Sequence, residues 1–274
     1  MAVASCRDIN DLPADCITYV FSLTTPKDAV RLSVVNSTFR SHADSDAVWM
    51  RFLPSEDIIS GSTVRSKKDF YIRLSNFPIL VDSGCKSFQL EKWSGKKIYM
   101  LIAGSGLTIP AWGVTRYQEI PRYMEGIATR IHRQWKVRGY INTKTLTSET
   151  NYAAYLVFRN RFLLPASDDI NVPLEAYIGI KGSRVKKRSV FLNAPQEPRA
   201  TEVIPKRRMD WWMEVELGEY FVKGAAGEDE ILLIFLSEVQ GLSWWLKRQT
   251  LGINTSPQHH FIIQGIEIRP KEST

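Results

Sequence analysis

Four histidines, three cysteines and a few acidic clusters are the residues of this 274-residue chain that could carry catalytic or metal chemistry. His42, His132, His259 and His260 lack the spacing to a cysteine or a second histidine that a zinc site needs. Cys6, Cys16 and Cys85 are odd in number and show no ligand spacing either. The pair at 259–260 reads as the polar entry to a strand. The "GSG" at 104–106 is not a phosphate loop, because no Lys-Ser/Thr follows and no strand–helix pattern surrounds it. Glu228, Asp229 and Glu230 lie together in a turn, where solvated carboxylates are the simpler reading than an acid/base pair. No catalytic residue, metal ligand or cofactor is expected, so the chain reads as a binding module rather than an enzyme.

Contact chemistry is better represented. Residues 110–123, "PAWGVTRYQEIPRY", set Trp112, Tyr117 and Tyr123 among two prolines and a glycine, with neither helical nor strand spacing. Such rings either cap a core or form a surface built to be touched. Two basic clusters, "RVKKR" at 184–188 and "KRR" at 206–208, are solvated loops, anion patches or import signals. Lys186, Lys187 and Arg188 are the residues of the candidate nuclear-import cluster.

Composition bounds the rest. Hydrophobic content of 44% and charged content of 24% are those of a globular protein. The longest apolar runs, such as "ILLIFL" at 231–236, are far too short to span a membrane, and no membrane partner is expected. The first residues, "MAVASCRDINDLP", lack a signal-peptide core, so a reducing compartment is expected and the sequons at Asn36 and Asn254 should be unused. The formal charge of +7 is uneven: residues 1–84 hold nine basic and ten acidic side chains, leaving 27 and 19 for the remainder. Two compositionally different parts follow, the second basic enough to meet nucleic acid or an acidic partner. No nucleic-acid module is recognisable in it.

The periodicity names the elements that would position these residues. Over 11–53 three short helices are expected. Ile17, Val20, Phe21 and Leu23 line the first. Thr25 caps the second, with Pro26 at its first position and Asp28 at the positive end of its dipole. Ser45 caps the third, which ends at Pro54 and carries Val48, Trp49 and Phe52. This unit is too small to hide its apolar residues well, and it wants a partner. A connector over 55–85 includes a helix capped by Ser66, with Phe70 and Leu74 on its apolar side. From residue 86 the period changes to two. "WKVRGYINT", "WMEVELGEYF" and "GIEIRP" alternate as half-buried strands, and "KKIYMLIAG", "NYAAYLVFRN", "LEAYIGIKG", "RSVFLNA" and "EILLIFLSEV" add more. About eight strands between irregular turns predict an antiparallel sandwich. One exception is "RYMEGIATRIH" at 122–132, which predicts a turn or two of helix through Met124, Ile127 and Ile131.

The segment "DLPADCITYVFSLTTPKDAVRLSVVNSTFRSHADSDAVWMRFLP" resembles an F-box. That resemblance implies a three-helix module that docks on an Skp-type adaptor and, through it, a cullin. It places Leu12, Pro13, Ile17, Val20, Phe21, Leu32, Val35 and Trp49 at or under that interface. The segments "KSFQLEKWSGKKIYML", "WKVRGYINTKTLTSETNYAAYLVF", "WWMEVELGEYF" and "IIQGIEIRP" resemble the phloem protein 2, or Nictaba-like, lectins. The combination looks like a plant F-box protein of the phloem protein 2-B type. The fold so implied is α+β: an F-box at 9–54, a connector at 55–85 and a jelly-roll sandwich at 86–270.

Lectin members bind N-acetylglucosamine oligomers and N-glycan cores through a Trp followed by a Tyr-Trp pair. Trp112 and Tyr117 match the first two rings. Gln118 stands at the third, and the "GVTR" turn between is one residue short and lacks the usual proline. A pyranose packs its C–H face on an indole, so losing one ring weakens the platform, while Gln118 offers hydrogen bonds in its place. Trp112, Tyr117 and Gln118 are the expected carbohydrate residues. A second departure is the "QGLSWWLKRQTLGINTSPQH" stretch carrying Trp244 and Trp245, which reads as a long loop in preference to an added contact surface.

The resemblance implies the substrate-recognition subunit of an SCF-type ubiquitin ligase, holding a glycoprotein or protein target in the nucleus and cytoplasm. The competing expectation is a stress-response lectin that acts without ubiquitination.

Overall fold

A computed structural model describes residues 9, 12–54, 65–109, 115–117, 126–130, 136–160, 174–183, 186–192, 203–209, 211–224, 230–238 and 260–271. Its contacts divide the chain into two units. One gathers the described residues up to Val81 with Phe88–Lys97; the other takes Asp82–Ser87 and the chain from Ile98 onward.

The first unit holds α1 (Ala14–Ser22), α2 (Pro26–Leu32), α3 (Ser37–Ala43), α4 (Asp46–Phe52) and α5 (Lys67–Asn76). Most of these helices start where a side chain caps them. The Thr25 hydroxyl accepts the Asp28 backbone N–H at 3.2 Å, with Pro26 at the first helical position. Ser66 caps α5 in the same way at 3.1 Å. Over 11–53 there are four helices rather than the expected three. The addition is α3, whose start is fixed by the Asn36 side chain accepting the Phe39 N–H at 2.7 Å. Only Phe39 and Ala43 of α3 are buried, a signal too thin to read as periodicity.

The core of this unit is aromatic. Phe21 and Phe39 meet edge-on with centroids 5.3 Å apart. Trp49 is buried, donates its indole N–H to the Ala43 carbonyl at 2.7 Å and lies 5.1 Å from the Tyr71 ring of α5. The Tyr71 hydroxyl lies 3.0 and 3.2 Å from the carbonyl oxygens of Glu91 and Lys92. Burial, with the Glu91 charge nearby, raises its pKa above the ordinary phenol value.

The strands are β1 (Ile79–Val81), β2 (Lys86–Leu90), β3 (Lys97–Ile102), β4 (Leu107–Thr108), β5 (Thr115–Tyr117), β6 (Gly126–Arg130), β7 (Lys136–Asn142), β8 (Thr150–Asn160), β9 (Leu174–Ile180), β10 (Arg188–Val190), β11 (Lys206–Arg207), β12 (Met213–Val222), β13 (Ile231–Glu238) and β14 (His260–Pro270). Within the second unit, one sheet runs β3-β14-β8-β12-β11 and the other β10-β9-β13-β7-β4. Neighbours in both pair antiparallel. β14 pairs β8 from Phe261 to Pro270, with a register shift between Ile263 and Gly265. Its other edge is shared by β6, opposite His260–Ile263, and β3, opposite Gly265–Ile268.

β6 corrects the helical expectation over 122–132, since residues 126–130 are extended. Their backbone is paired on both sides, to β14 and to β5. Ile127 and Thr129 are β-branched, and a ladder on two edges outweighs a short, uncapped helical pattern.

The two sheets face each other across one apolar layer. Leu156, Val215 and Ile266 stand opposite one another in the first sheet, and Gly139, Ile178 and Ile234 in the second. Glycines set the approach. A Cβ on Gly139 would come 2.5 Å from Leu101 Cδ1, and one on Gly218 would come 2.5 Å from Ile178 Cγ2. Gly265, beside a register shift in β14, brings the backbone so close that a Cβ would meet the Leu101 carbonyl oxygen at 2.3 Å. That neighbour is main chain and cannot swing aside. Gly265→Ala is therefore expected to lower unfolding free energy by about 1–3 kcal/mol, read as a drop in the denaturant midpoint.

Candidate functional site

The helical unit buries one set of apolar residues and leaves another outside. Ile17, Phe21 and Trp49 are buried within it, and Leu32 and Leu12 are half-buried. Pro13, Val20 and Val35 are exposed. The helical stripe does not separate these classes: it predicts which residues avoid water, not which of two neighbours covers them. Tyr19, Leu23, Val30, Val34 and Met50 are exposed as well, Val34 at 74% and Tyr19 at 62%. For helices of seven to nine residues this is a large apolar remainder. These side chains come from α1 and the residues flanking it, from α2 and the turn after it, and from α4.

Of the expected carbohydrate residues, Trp112 and Gln118 lie outside the described residues. So do Trp244 and Trp245 of the long stretch before β14. Tyr117 closes β5, where its register partner is Gly126 of β6. Although the stretch shows no strand spacing in the sequence, its described residues, 115–117, form a strand.

The import-cluster residues are placed individually. Lys186 is exposed and has no ion-pair partner among the described residues. Lys187 pairs with Glu175 at 2.7 Å, which raises its pKa. Arg188 pairs with Glu216 at 2.7 Å.

Sequence reasoning missed a charged lattice on the outer face of the β3-β14-β8-β12-β11 sheet. Glu216, Tyr155 and Glu267 stand in one cross-strand row, and Arg269 enters from the next position of that face. Arg269 lies 2.7 Å from Glu214, also pairs with Glu267, and sits with its guanidinium carbon 3.8 Å from the Tyr155 ring centroid. Arg208 reaches the same two glutamates at 3.2 and 3.1 Å. Lys271 binds Glu216 and Glu219 at 3.0 and 2.6 Å. The signal was present in the alternation of "MEVELGE" and "GIEIR", whose polar members must share the outer face once the apolar members face inward. Which cations they meet depends on strand order, and periodicity does not give that.

The lattice is half-buried, so its charges work on each other more than on water. Burial alone would raise the Glu214 pKa, but Arg269 and then Arg208 outweigh it and hold the carboxyl below its usual range. Lys271, followed by Asn151, lowers Glu219 likewise. Burial raises the Tyr155 phenol, opposed mainly by Arg269. Nothing here holds a base beside a nucleophile, and among the described residues no group of histidines, cysteines and carboxylates could hold a metal.

Comparisons with known proteins carry these two surfaces to a family. An F-box domain model matches residues 9–51, and the phloem protein 2 model matches residues 96–270. F-box protein PP2-B10 of Arabidopsis thaliana is 37% identical over 271 residues, covering 95% of this chain and 93% of its own. Putative F-box protein PP2-B2 of the same plant is 34% identical over 278 residues, covering 96% and 84%. Among solved structures a xylan-binding domain covers 62% of this chain and 89% of its own, with a TM-score of 0.31 and 10% identity, too slight a likeness to transfer a ligand.

The lattice makes a signed pH prediction. The folded pKa values of Glu214 and Glu219 are depressed, so their contribution is complete above the unfolded value of about 4.3. It is lost as pH falls through the folded values. Unfolding free energy should therefore climb with pH across the acid range, and the climb should be shallower in Arg269→Gln, as read by denaturant titration at a series of pH values. The paired helical and strand-rich matches, with relatives that span nearly the whole chain, establish that this protein belongs to the phloem protein 2 family and carries an F-box domain at its N-terminal side.

Proposed function

We propose that this chain is the substrate-recognition subunit of an SCF-type ubiquitin ligase. The F-box unit holds an Skp-type adaptor, and through it a cullin. The strand-rich unit holds the target, so the ligase acts on what is brought near it. The chain itself does no bond chemistry in this reading.

The observation that carries it is the exposed apolar remainder of the helical unit. The unit has a closed aromatic core, yet Tyr19, Val20, Leu23, Val34 and Val35 face water. A second set of helices would cover them, and the core of such an interface is apolar. Ile17, Phe21 and Trp49 then support the surface from below, while Val20 and Val35, with Leu12, Pro13 and Leu32, meet the partner.

For the strand-rich unit, the proposal assigns target binding to the loop that carries Trp112, Tyr117 and Gln118. Its ligand is an N-acetylglucosamine-containing glycan or the protein that bears it. Gln118 makes binding to simple oligomers weak. The proposed setting is the nucleus and cytoplasm, with Lys186 as the cation of the import cluster that has no ion-pair partner among the described residues.

Two kinds of substitution separate contact from support. Val20→Glu and Val35→Glu are expected to lower adaptor affinity at least tenfold in calorimetry, with the melting temperature of the free protein unchanged. Trp49→Ala is expected to cost about 3–5 kcal/mol of stability instead. An intact protein that fails to bind the adaptor would refute the first half of the reading. Titration with N-acetylglucosamine oligomers tests the second: weak binding, removed by Trp112→Ala, is expected, and tight binding would show that Gln118 costs the site little.

A further inference from the structure

β11 and β12 pair antiparallel, so the chain reverses between Arg207 and Met213. The Arg208 N–H donates to the Trp212 carbonyl at 2.7 Å, and the Trp211 N–H donates to the Arg208 carbonyl at 3.3 Å. Trp211 sits at φ 69°, in the left-handed region where glycine is at ease and a bulky side chain is not. Burial inside the protein does not compensate, because 69% of the residue is exposed. Met209, two residues before it, is fully exposed. A tryptophan held in an unfavourable conformation with its ring in solvent points to a contact outside the molecule.

The tip is firmly held from beneath. Trp212 is buried with Met100, Val157 and Ile262. Arg208 is tied to Glu214 and Glu267. The Arg207 guanidinium lies 4.4 Å from the Trp211 ring centroid. Lys206 and Arg207 are exposed, and neither has a carboxylate partner among the described residues. The arrangement is an indole and a thioether at a hairpin turn, with two exposed cations at its base, one of them stacked on the indole.

This shape selects the class of partner. Small ligands are enclosed by concave sites, and a protruding turn encloses nothing. A bilayer surface accepts such a tip without a preformed hollow. Tryptophan favours the headgroup region, where an apolar ring meets a wet boundary. Lysine and arginine beside it are drawn to anionic lipid. The excess of basic over acidic residues from 85 onward, 27 against 19, adds long-range attraction of the same sign. Among the described residues no helix is long and apolar enough to cross a membrane, and a surface contact requires none.

We propose that the β11–β12 turn is a peripheral membrane contact. Met209 and Trp211 enter the headgroup region of an anionic bilayer, and Lys206 and Arg207 lie on its acidic groups. The proposal is independent of the adaptor and glycan readings.

The test uses the full chain with vesicles of phosphatidylcholine alone and of phosphatidylcholine mixed with phosphatidylserine. Co-sedimentation gives the partition coefficient, and quenching by brominated acyl chains reports ring insertion. Binding is expected on the mixed vesicles and little on the neutral ones. Trp211→Gly should weaken it about tenfold, the scale for withdrawing one large apolar side chain, and should remove most of the quenching. Its melting temperature should hold or rise, since glycine suits the backbone there. Met209→Ser, which leaves that backbone alone, should weaken binding in the same direction. Lys206→Gln and Arg207→Gln should each reduce it about fivefold. Absence of binding to mixed vesicles would overturn the proposal, and it is the outcome expected if the tip seats in a pocket of a protein partner. Binding that Trp211→Gly and Met209→Ser leave unchanged would also overturn it, by showing that charge alone is responsible.

Discussion

The close approach of the two sheets is the constraint on which the strand-rich unit depends. Gly139 and Gly218 stand where a side chain would collide with the facing sheet, and Gly265 stands where one would collide with the neighbouring strand. With those positions empty, the branched side chains of β8, β12, β13 and β14 fill a single apolar layer. That layer settles the position of everything polar. A strand whose alternate residues are spent on the interior can present charge only on the other face. The glutamate–arginine lattice on β12 and β14 follows from this, as does its balanced composition, since half-buried carboxylates need cations within reach. The same lattice anchors Arg208, and so the turn that carries Trp211.

The helical unit obeys a different limit. It is too short to cover both sides of its helices, so its aromatic core is satisfied from within and its outer apolar residues are left over. Trp49 shows how little freedom remains inside: its ring touches Phe52 and Tyr71, and its N–H is used by Ala43. The surface around Val20 and Val35 has no such role in the unit's own packing. The exposed apolar surface and the stable core are therefore separable in this module, although they alternate along the same helix.

Much of this was legible in the chain itself. The caps at Thr25, Ser45 and Ser66 are local hydrogen bonds, and local chemistry reads directly from residue types. The change of period near residue 86 marked the strands, because an interior face demands alternation. The family was carried by motifs spread over both parts, and the matches to F-box and phloem protein 2 models agree with it. Other features were not legible because they depend on partners distant in the chain. α3 rests on one asparagine cap and two buried residues. β6 is a strand because β5 and β14 pair with it, although its own residues also permit a helical reading. Ile17 and Val20 look equivalent in the sequence, and only packing puts one inside and the other out. The left-handed conformation of Trp211 has no sequence signature, since glycine would be the expected residue at such a turn.

The most direct test of the central claim is hydrogen exchange, read by mass spectrometry, on the full chain with and without an Skp-type adaptor. The account predicts added protection in peptides covering α1 and the turn after α2, around Tyr19–Leu23 and Val34–Val35, with the strand-rich unit unchanged. Protection that appears only in the strand-rich unit, or nowhere, would contradict it.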